Sequence, residues 1–285
     1  GDYDHFLSTK IWFMKSYIEP GNTLPILRAG ANRGIINFNQ QRDYHLRYVI
    51  KDVFGNQTVK EFTVRGEPEA IPKASHPEGA SPLYYAKDNR FEAGSIRLNI
   101  KKGLLAKNSW LQLQHGGTSN GLSAAYSFSK AAFPLFNYAQ ISIKPTAGVR
   151  NPEKLYVAMR NSLNASGPAS YCGGKYANGW VIGRMREMAS VYFLASDETA
   201  PTITEQNRNP RNLTFKVTDT GSGLQDCKAY LDGKFILLQF GKNKEIFFCD
   251  LTKTPVQPTD MERTLKIIAT DNRNNKKEYL TKIKY

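Results

Sequence analysis

Residues 44–64, YHLRYVIKDVFGNQTVKEFTV, read as two β-strands joined by a tight turn. Leu46, Tyr48 and Ile50 alternate with His45, Arg47 and Lys51, the period-two pattern of a half-buried strand. The stretch 52–56 breaks the run, and Gly55 can take the positive φ that a turn needs. The far end of the chain repeats the design. Leu265, Ile267 and Ala269 alternate with polar residues, 271–275 turn, and a last strand runs to about Ile283. Asp52 and Asp271 therefore hold equivalent places, each at the end of a strand. No segment carries a sustained helical period, so the expected fold class is all-β, built of tandem Ig-like or β-sandwich modules.

Four segments follow from the turn and linker signals. Residues 1–68 form a first Ig-like module, with strand patterns around Trp12 and Met14, at Ile26 and Leu27, and from Ile35 to Phe38. Pro20 and Gly21 suit the central positions of a type II turn. This module is short against the roughly 100 residues of a full Ig-like sandwich, so it reads as N-terminally incomplete. Residues 69–82 are a Pro-rich linker. Residues 83–197 form the middle sandwich, with strands expected at 95–100, 110–114, 139–144, 155–159 and 191–195. Asn178-Gly179 gives the strongest hairpin signal in the chain. Residues 198–285 form a C-terminal Ig-like sandwich, with a second hairpin turn at Asp232-Gly233.

The net charge of +14 is unevenly spread. Residues 1–68 hold 9 Lys and Arg against 7 Asp and Glu, residues 69–197 hold 15 against 7, and residues 198–285 hold 15 against 11. The middle segment is the basic one, and a basic surface favours polyanions. No nucleic-acid-binding motif is present, so nucleic acid is not an expected partner. No apolar run approaches the roughly 18 residues of a membrane span. The chain opens on Gly1, Asp2 and Tyr3 without a charged and apolar leader.

Chemistry-bearing residues are sparse. The four histidines, His5, His45, His76 and His115, show no zinc-ligand spacing. Gln114, His115, Gly116 and Gly117 resemble an oxyanion-hole stretch, but no nucleophile elbow accompanies them, and a loop is the plainer reading. Cys227 and Cys249 lie on two candidate strands and form a disulfide only if the register brings them together. Asp52, Asp197, Asp219, Asp232 and Asp271 all stand at turns, either capping backbone N–H groups or gathering at one sandwich end around Ca²⁺. Trp12, Trp110 and Trp180 either pack in cores or stack on sugars.

A series of short stretches, in order, carries a resemblance over nearly the whole chain. They are 18–24, 32–36 with Phe38, 52–56, 88–92, 141–145, Gly173-Gly174 with 178–180, 197–203, 217–224 and 231–235. Together they resemble the lysostaphin-type, or LytM-like, peptidoglycan endopeptidases of Bacteroidetes-type bacteria, in the non-catalytic region after the peptidase domain. The family's His-x-x-x-Asp and His-x-His zinc motifs have no counterpart here, so no catalytic residue carries over. The resemblance implies an accessory region that is not itself an enzyme. It positions or binds for an upstream peptidase domain, at a secreted, periplasmic or cell-surface location. The chain itself needs no cofactor, with zinc expected only in the upstream catalytic domain. A cell-wall or envelope polysaccharide is the expected further partner. The rival reading is a glycan-binding or adhesion protein with no peptidase activity. In either case the candidate contacts are Lys101, Lys102, Trp110 and Trp180, in the basic middle module beside Tyr126, Tyr171 and Tyr176.

Overall fold

The computed structural model describes residues 5–6, 9–13, 15–69, 76–116, 121–130, 133–162, 169–241 and 243–285. The chain is all-β and organised in antiparallel sheets. β1 (Asp43–Lys51) and β2 (Gln57–Arg65) form the expected hairpin, with Leu46 opposite Phe62 and Tyr48 opposite Lys60. Tyr44 and Leu46 are half-buried as the alternation predicts, but Tyr48, Ile50 and Phe62 on the same face are exposed. Residues 9–42 hold no strand among those described, so the strands expected around Trp12, at Ile26 and from Ile35 to Phe38 are corrected. Met14 lies outside the described residues, as do 70–75 of the Pro-rich linker. A strand needs a neighbour for its N–H and C=O groups. Here the segment meets the hairpin just past the end of β2, with Glu67 N–H donating to Phe38 O at 3.0 Å. The turn at 19–22 does form, with Asn22 N–H donating to Glu19 O at 3.0 Å. It is not type II, because Gly21 has no positive φ. Glycine is needed there for a different reason: a Cβ would sit 2.1 Å from Leu105 O.

The middle sandwich comprises β3 (Ser81–Leu83), β4 (Asn89–Ala93), β5 (Ile96–Ile100), β6 (Ser109–Leu111), β7 (Gln114–Gly116), β8 (Ala125–Ser127), β9 (Pro134–Ile143), β10 (Leu155–Arg160), β11 (Ser170–Tyr171), β12 (Lys175–Ala177), β13 (Trp180–Glu187) and β14 (Val191–Ser196). Two five-stranded sheets, β11-β10-β14-β8-β7 and β12-β13-β9-β5-β4, share one core. Ile96, Leu98, Ile141 and Ile143 come from one sheet, Val157, Tyr192 and Leu194 from the other. The run expected as one strand at 110–114 divides. β6 pairs with β3, while β7 pairs with β8 in a different sheet. The sheets meet at 172–174, where Cys172 N–H donates to Val157 O and Arg184 N–H to Cys172 O. Gly183 allows that approach, since a Cβ would stand 2.6 Å from Cys172 O. Asn178 and Gly179 have φ of 51° and 79°, the two positive values of a type I′ hairpin.

The last sandwich comprises β15 (Thr202–Asn207), β16 (Leu213–Thr218), β17 (Leu224–Leu231), β18 (Lys234–Ile236), β19 (Gln239–Phe240), β20 (Ile246–Cys249), β21 (Glu262–Asp271) and β22 (Lys276–Lys284). Its sheets are β15-β16-β20-β19 and β18-β17-β21-β22, around a core of its own that includes Phe215, Val217, Leu231 and Ile267. Asp232 and Gly233, with φ of 49° and 78°, make the second type I′ turn. Cys227 and Cys249 sit on strands of opposite sheets and are free thiols, as is Cys172.

The equivalence of Asp52 and Asp271 holds atom by atom. Asp52 Oδ1 accepts from Phe54 N–H and Asn56 N–H, and its Oδ2 from Asn56 Nδ2. Asp271 Oδ1 accepts from Arg273 N–H and Asn275 N–H, and its Oδ2 from Asn275 Nδ2. The positive φ that follows falls on Gly55 in one turn and Asn274 in the other. Only the surroundings differ: Asp52 is exposed and Asp271 is wholly buried.

Candidate functional site

One sheet of the middle sandwich turns its outer face to solvent. Because side chains alternate, the inward Ile96, Leu98 and Ile100 force Arg97 and Asn99 outward on β5. The ladder extends this set into rows. Lys175, Ile182, Ser142, Arg97 and Glu92 lie side by side across five strands. Arg184, Gln140, Asn99 and Arg90 form the next row. Apart from Ile182 and the acid Glu92, the face is built from neutral polar and cationic groups, over an apolar core.

Two of its guanidiniums rest on aromatic rings. Arg97 lies 3.9 Å from the Trp180 ring centroid and Arg184 lies 4.7 Å from that of Tyr138. Arg97 Nη2 also pairs with Glu92 Oε1 at 2.7 Å. A planar cation stacked in this way loses rotamer freedom while its edge still faces oxygen acceptors, as Arg97 does toward Glu92. Between the strands is a depression of about 360 Å³ lined by Arg90, Arg97, Asn99, Gln140, Ser142 and Trp180, among others. A second depression of about 440 Å³ shares Ile182 with it and includes Lys175 and Arg184. Asn99 Oδ1 is buried and has no hydrogen-bond donor.

Of the residues singled out by sequence, Trp180 stands on this face, half-buried under Arg97. Trp110 does not: it is on β6, stacked with His76 at 4.8 Å. Lys101 and Lys102 lie just past β5 at a turn around Asp88. Lys101 Nζ donates to Asp88 Oδ2 at 2.7 Å, and Lys102 N–H donates to Oδ1 at 2.9 Å. The hydrogen bond from Lys101, with the one from the Lys102 backbone, holds the Asp88 carboxyl below its ordinary range. Tyr126 is buried in the core, which corrects its expected place among the surface aromatics. Sequence reading passed over Arg90, Arg97, Asn99, Gln140 and Arg184. Its usable signal was the outward half of the alternation in IRLNI.

Three of the five turn aspartates do gather. Asp197, Asp219 and Asp271 bring carboxylate oxygens within 4.8 Å of one another where the two sandwiches meet; among the described residues no other such group of His, Cys, Asp or Glu is found. Capping accounts for their positions. Asp197 Oδ2 accepts from Ser222 N–H and Oγ, and Asp219 Oδ2 from Gly221 N–H and Gly223 N–H. A Cβ on Gly221 would lie 2.3 Å from the Asp197 carboxyl carbon, so glycine is required. Burial, with the charges of Asp197 and Asp271, pushes the Asp219 carboxyl up. A raised acid loses folding stability as pH climbs from the ordinary carboxylate range through its folded value. Asp219→Asn keeps an acceptor for both glycine N–H groups and removes the charge. It is expected to raise the melting temperature at pH 7, and the gain should vanish in acid, where the wild-type carboxyl is already neutral. Thermal melts of both proteins across pH check this; a lower melting temperature for the variant at pH 7 would contradict it.

Burial pushes Cys172 up to about 11 and Cys227 up to about 12, so neither is a thiolate at neutral pH.

In comparisons with known proteins, the model of the Zu5-like domain family matches residues 80–197. That span holds every strand of the middle sandwich, β3 to β14, and with it the arginine-bearing face. No curated protein matches the chain.

Proposed function

We propose that this chain is a non-catalytic recognition region, accessory to a peptidoglycan-cleaving metallopeptidase at the cell envelope, and that its middle sandwich binds envelope polymer. The observation that carries the reading is the open sheet face, where Arg97 and Arg184 are propped on Trp180 and Tyr138 beside two shallow depressions. A shallow, polar, pre-ordered surface suits recognition of an extended chain better than bond-breaking, which needs a nucleophile or metal facing an enclosed site. Three guanidiniums with one carboxylate among them give that face the sign that attracts an anionic wall.

Two measurements test the proposal. The full chain should be retained on purified peptidoglycan sacculi at low salt and released at high salt, because exposed charges are screened within about 8 Å at physiological ionic strength. Incubated with the same sacculi and zinc, it should release no new muropeptides. Absence of retention at low salt would remove the recognition role. Cleaved cross-links would remove the non-catalytic one.

A further inference from the structure

The open face of β12-β13-β9-β5-β4 has a donor and acceptor pattern that narrows its ligand. We propose that it binds an acidic oligosaccharide of the uronic-acid class, with Arg97 and Arg184 holding carboxylates and the Asn99–Gln140 row taking sugar hydroxyls. This rests on the recognition role given above and adds the ligand class and the residues.

The charge comes first. Arg90, Arg97 and Arg184 share the face, and the one acid of the two rows, Glu92, is paired with Arg97. Guanidinium offers parallel N–H donors in a fixed fork that fits a carboxylate, which a lysine ammonium does not. Stacking on Trp180 and Tyr138 fixes two of those forks before a ligand arrives, so little side-chain entropy is lost on binding.

The second element is the amide pair. Asn99 and Gln140 stand opposite each other on neighbouring strands, and both line the first depression. Ionised sulfate and carboxylate oxygens only accept, so they meet just the donor half of each amide. A sugar hydroxyl both donates and accepts, and the Gln140 amide opposite Asn99 can complete the exchange. A ligand carrying carboxylates and hydroxyls on one scaffold meets both requirements.

The third is extent. The two depressions both have Ile182 as a wall, so recognition groups run from Arg90 and Arg97 to Lys175 and Arg184 across it. That calls for a chain of sugars rather than a single ring.

The test uses the full chain and isothermal titration with three probes: a galacturonic acid hexamer, its fully methyl-esterified form, and a single-stranded DNA oligonucleotide. The hexamer should bind, and methyl esterification, which removes the carboxylate charge and one of its paired acceptor oxygens, should weaken binding by about 10-fold or more. Arg97→Ala with Arg184→Ala should cause a comparable loss. Arg97→Lys with Arg184→Lys, which keeps charge and removes the fork, should fall between. Lys101→Glu with Lys102→Glu, off the face, should change affinity by less than about 3-fold, since rim charges act weakly. Equal binding of the methyl ester, DNA bound as tightly as the hexamer, or unaltered binding by the folded alanine pair would each overturn the proposal. Retention on sacculi with no affinity for the hexamer would overturn it while leaving the recognition role intact; loss of both would remove both.

Discussion

Asp271→Ala should destabilise the last sandwich by about 3–5 kcal/mol, the scale of losing two or three charge-assisted hydrogen bonds at about 1.5–3 kcal/mol each with partial relaxation. The Asp271 carboxylate is fully buried and accepts from Arg273 N–H, Asn275 N–H and Asn275 Nδ2. Water cannot replace it, so truncation leaves those donors unpaired. Relief of its repulsion with Asp219 offsets part of the loss. Asp52→Ala is the matched control, because it deletes the same three bonds from the same turn in an exposed setting. Denaturant midpoints of the full chain read the difference. A shift for Asp271→Ala no larger than that for Asp52→Ala would show that burial of the turn contributes nothing.

Such turns were legible in the sequence because their chemistry is local. An aspartate that caps its own turn, an Asn-Gly or Asp-Gly pair with positive φ, and strict alternation all act within about ten residues of chain. Hence the two hairpin ends, the type I′ turns at Asn178 and Asp232, and strands β5, β9, β10 and β14 were all readable. Residues 9–42 failed for the opposite reason. Short apolar pairs such as Ile26-Leu27 look like strands, but no neighbouring strand takes up their backbone groups, and Ile26 stays exposed.

The candidate face was half legible. Alternation alone puts Arg97 and Asn99 outward. What it cannot give is the ladder that brings Gln140 beside Asn99 and Arg184 beside Gln140, since those pairings join segments more than forty residues apart. The excess charge of residues 69–197 pointed to the middle module, and within it to Lys101 and Lys102 and not to the arginines of this face. A sum over a segment carries no information about faces, and Lys101 is engaged by Asp88 instead. Trp180, for which the sequence left core packing and sugar stacking open, stands half-buried on the face with the Arg97 guanidinium over its ring.

Arg273→Ala should uncouple the two sandwiches. This side chain leaves the β21–β22 turn and enters the middle sandwich, where Nη1 donates to Leu155 O at 3.0 Å, to Glu153 O at 3.1 Å and to Gly174 O, and Nη2 to Tyr171 Oη at 3.2 Å. Lys154 returns the contact, with Nζ donating to Arg273 O at 2.9 Å and to Asn275 Oδ1 at 2.6 Å. Asn275 Nδ2 closes the circuit on Asp197 O at 2.9 Å. No alkyl side chain can donate to three carbonyls at once, and a lysine ammonium lacks the planar reach. The loss in coupling should be about 2–4 kcal/mol, one to two charge-assisted bonds after relaxation. Scanning calorimetry is then expected to show a single main transition for the wild type and two resolved transitions for the variant. The fragment 198–285, with its own core, should unfold cooperatively alone. Arg273 also lines the second depression with Lys175 and Arg184, so the same variant should let that end of the face move. An unchanged single transition in Arg273→Ala would mean that the junction is held by something other than this network.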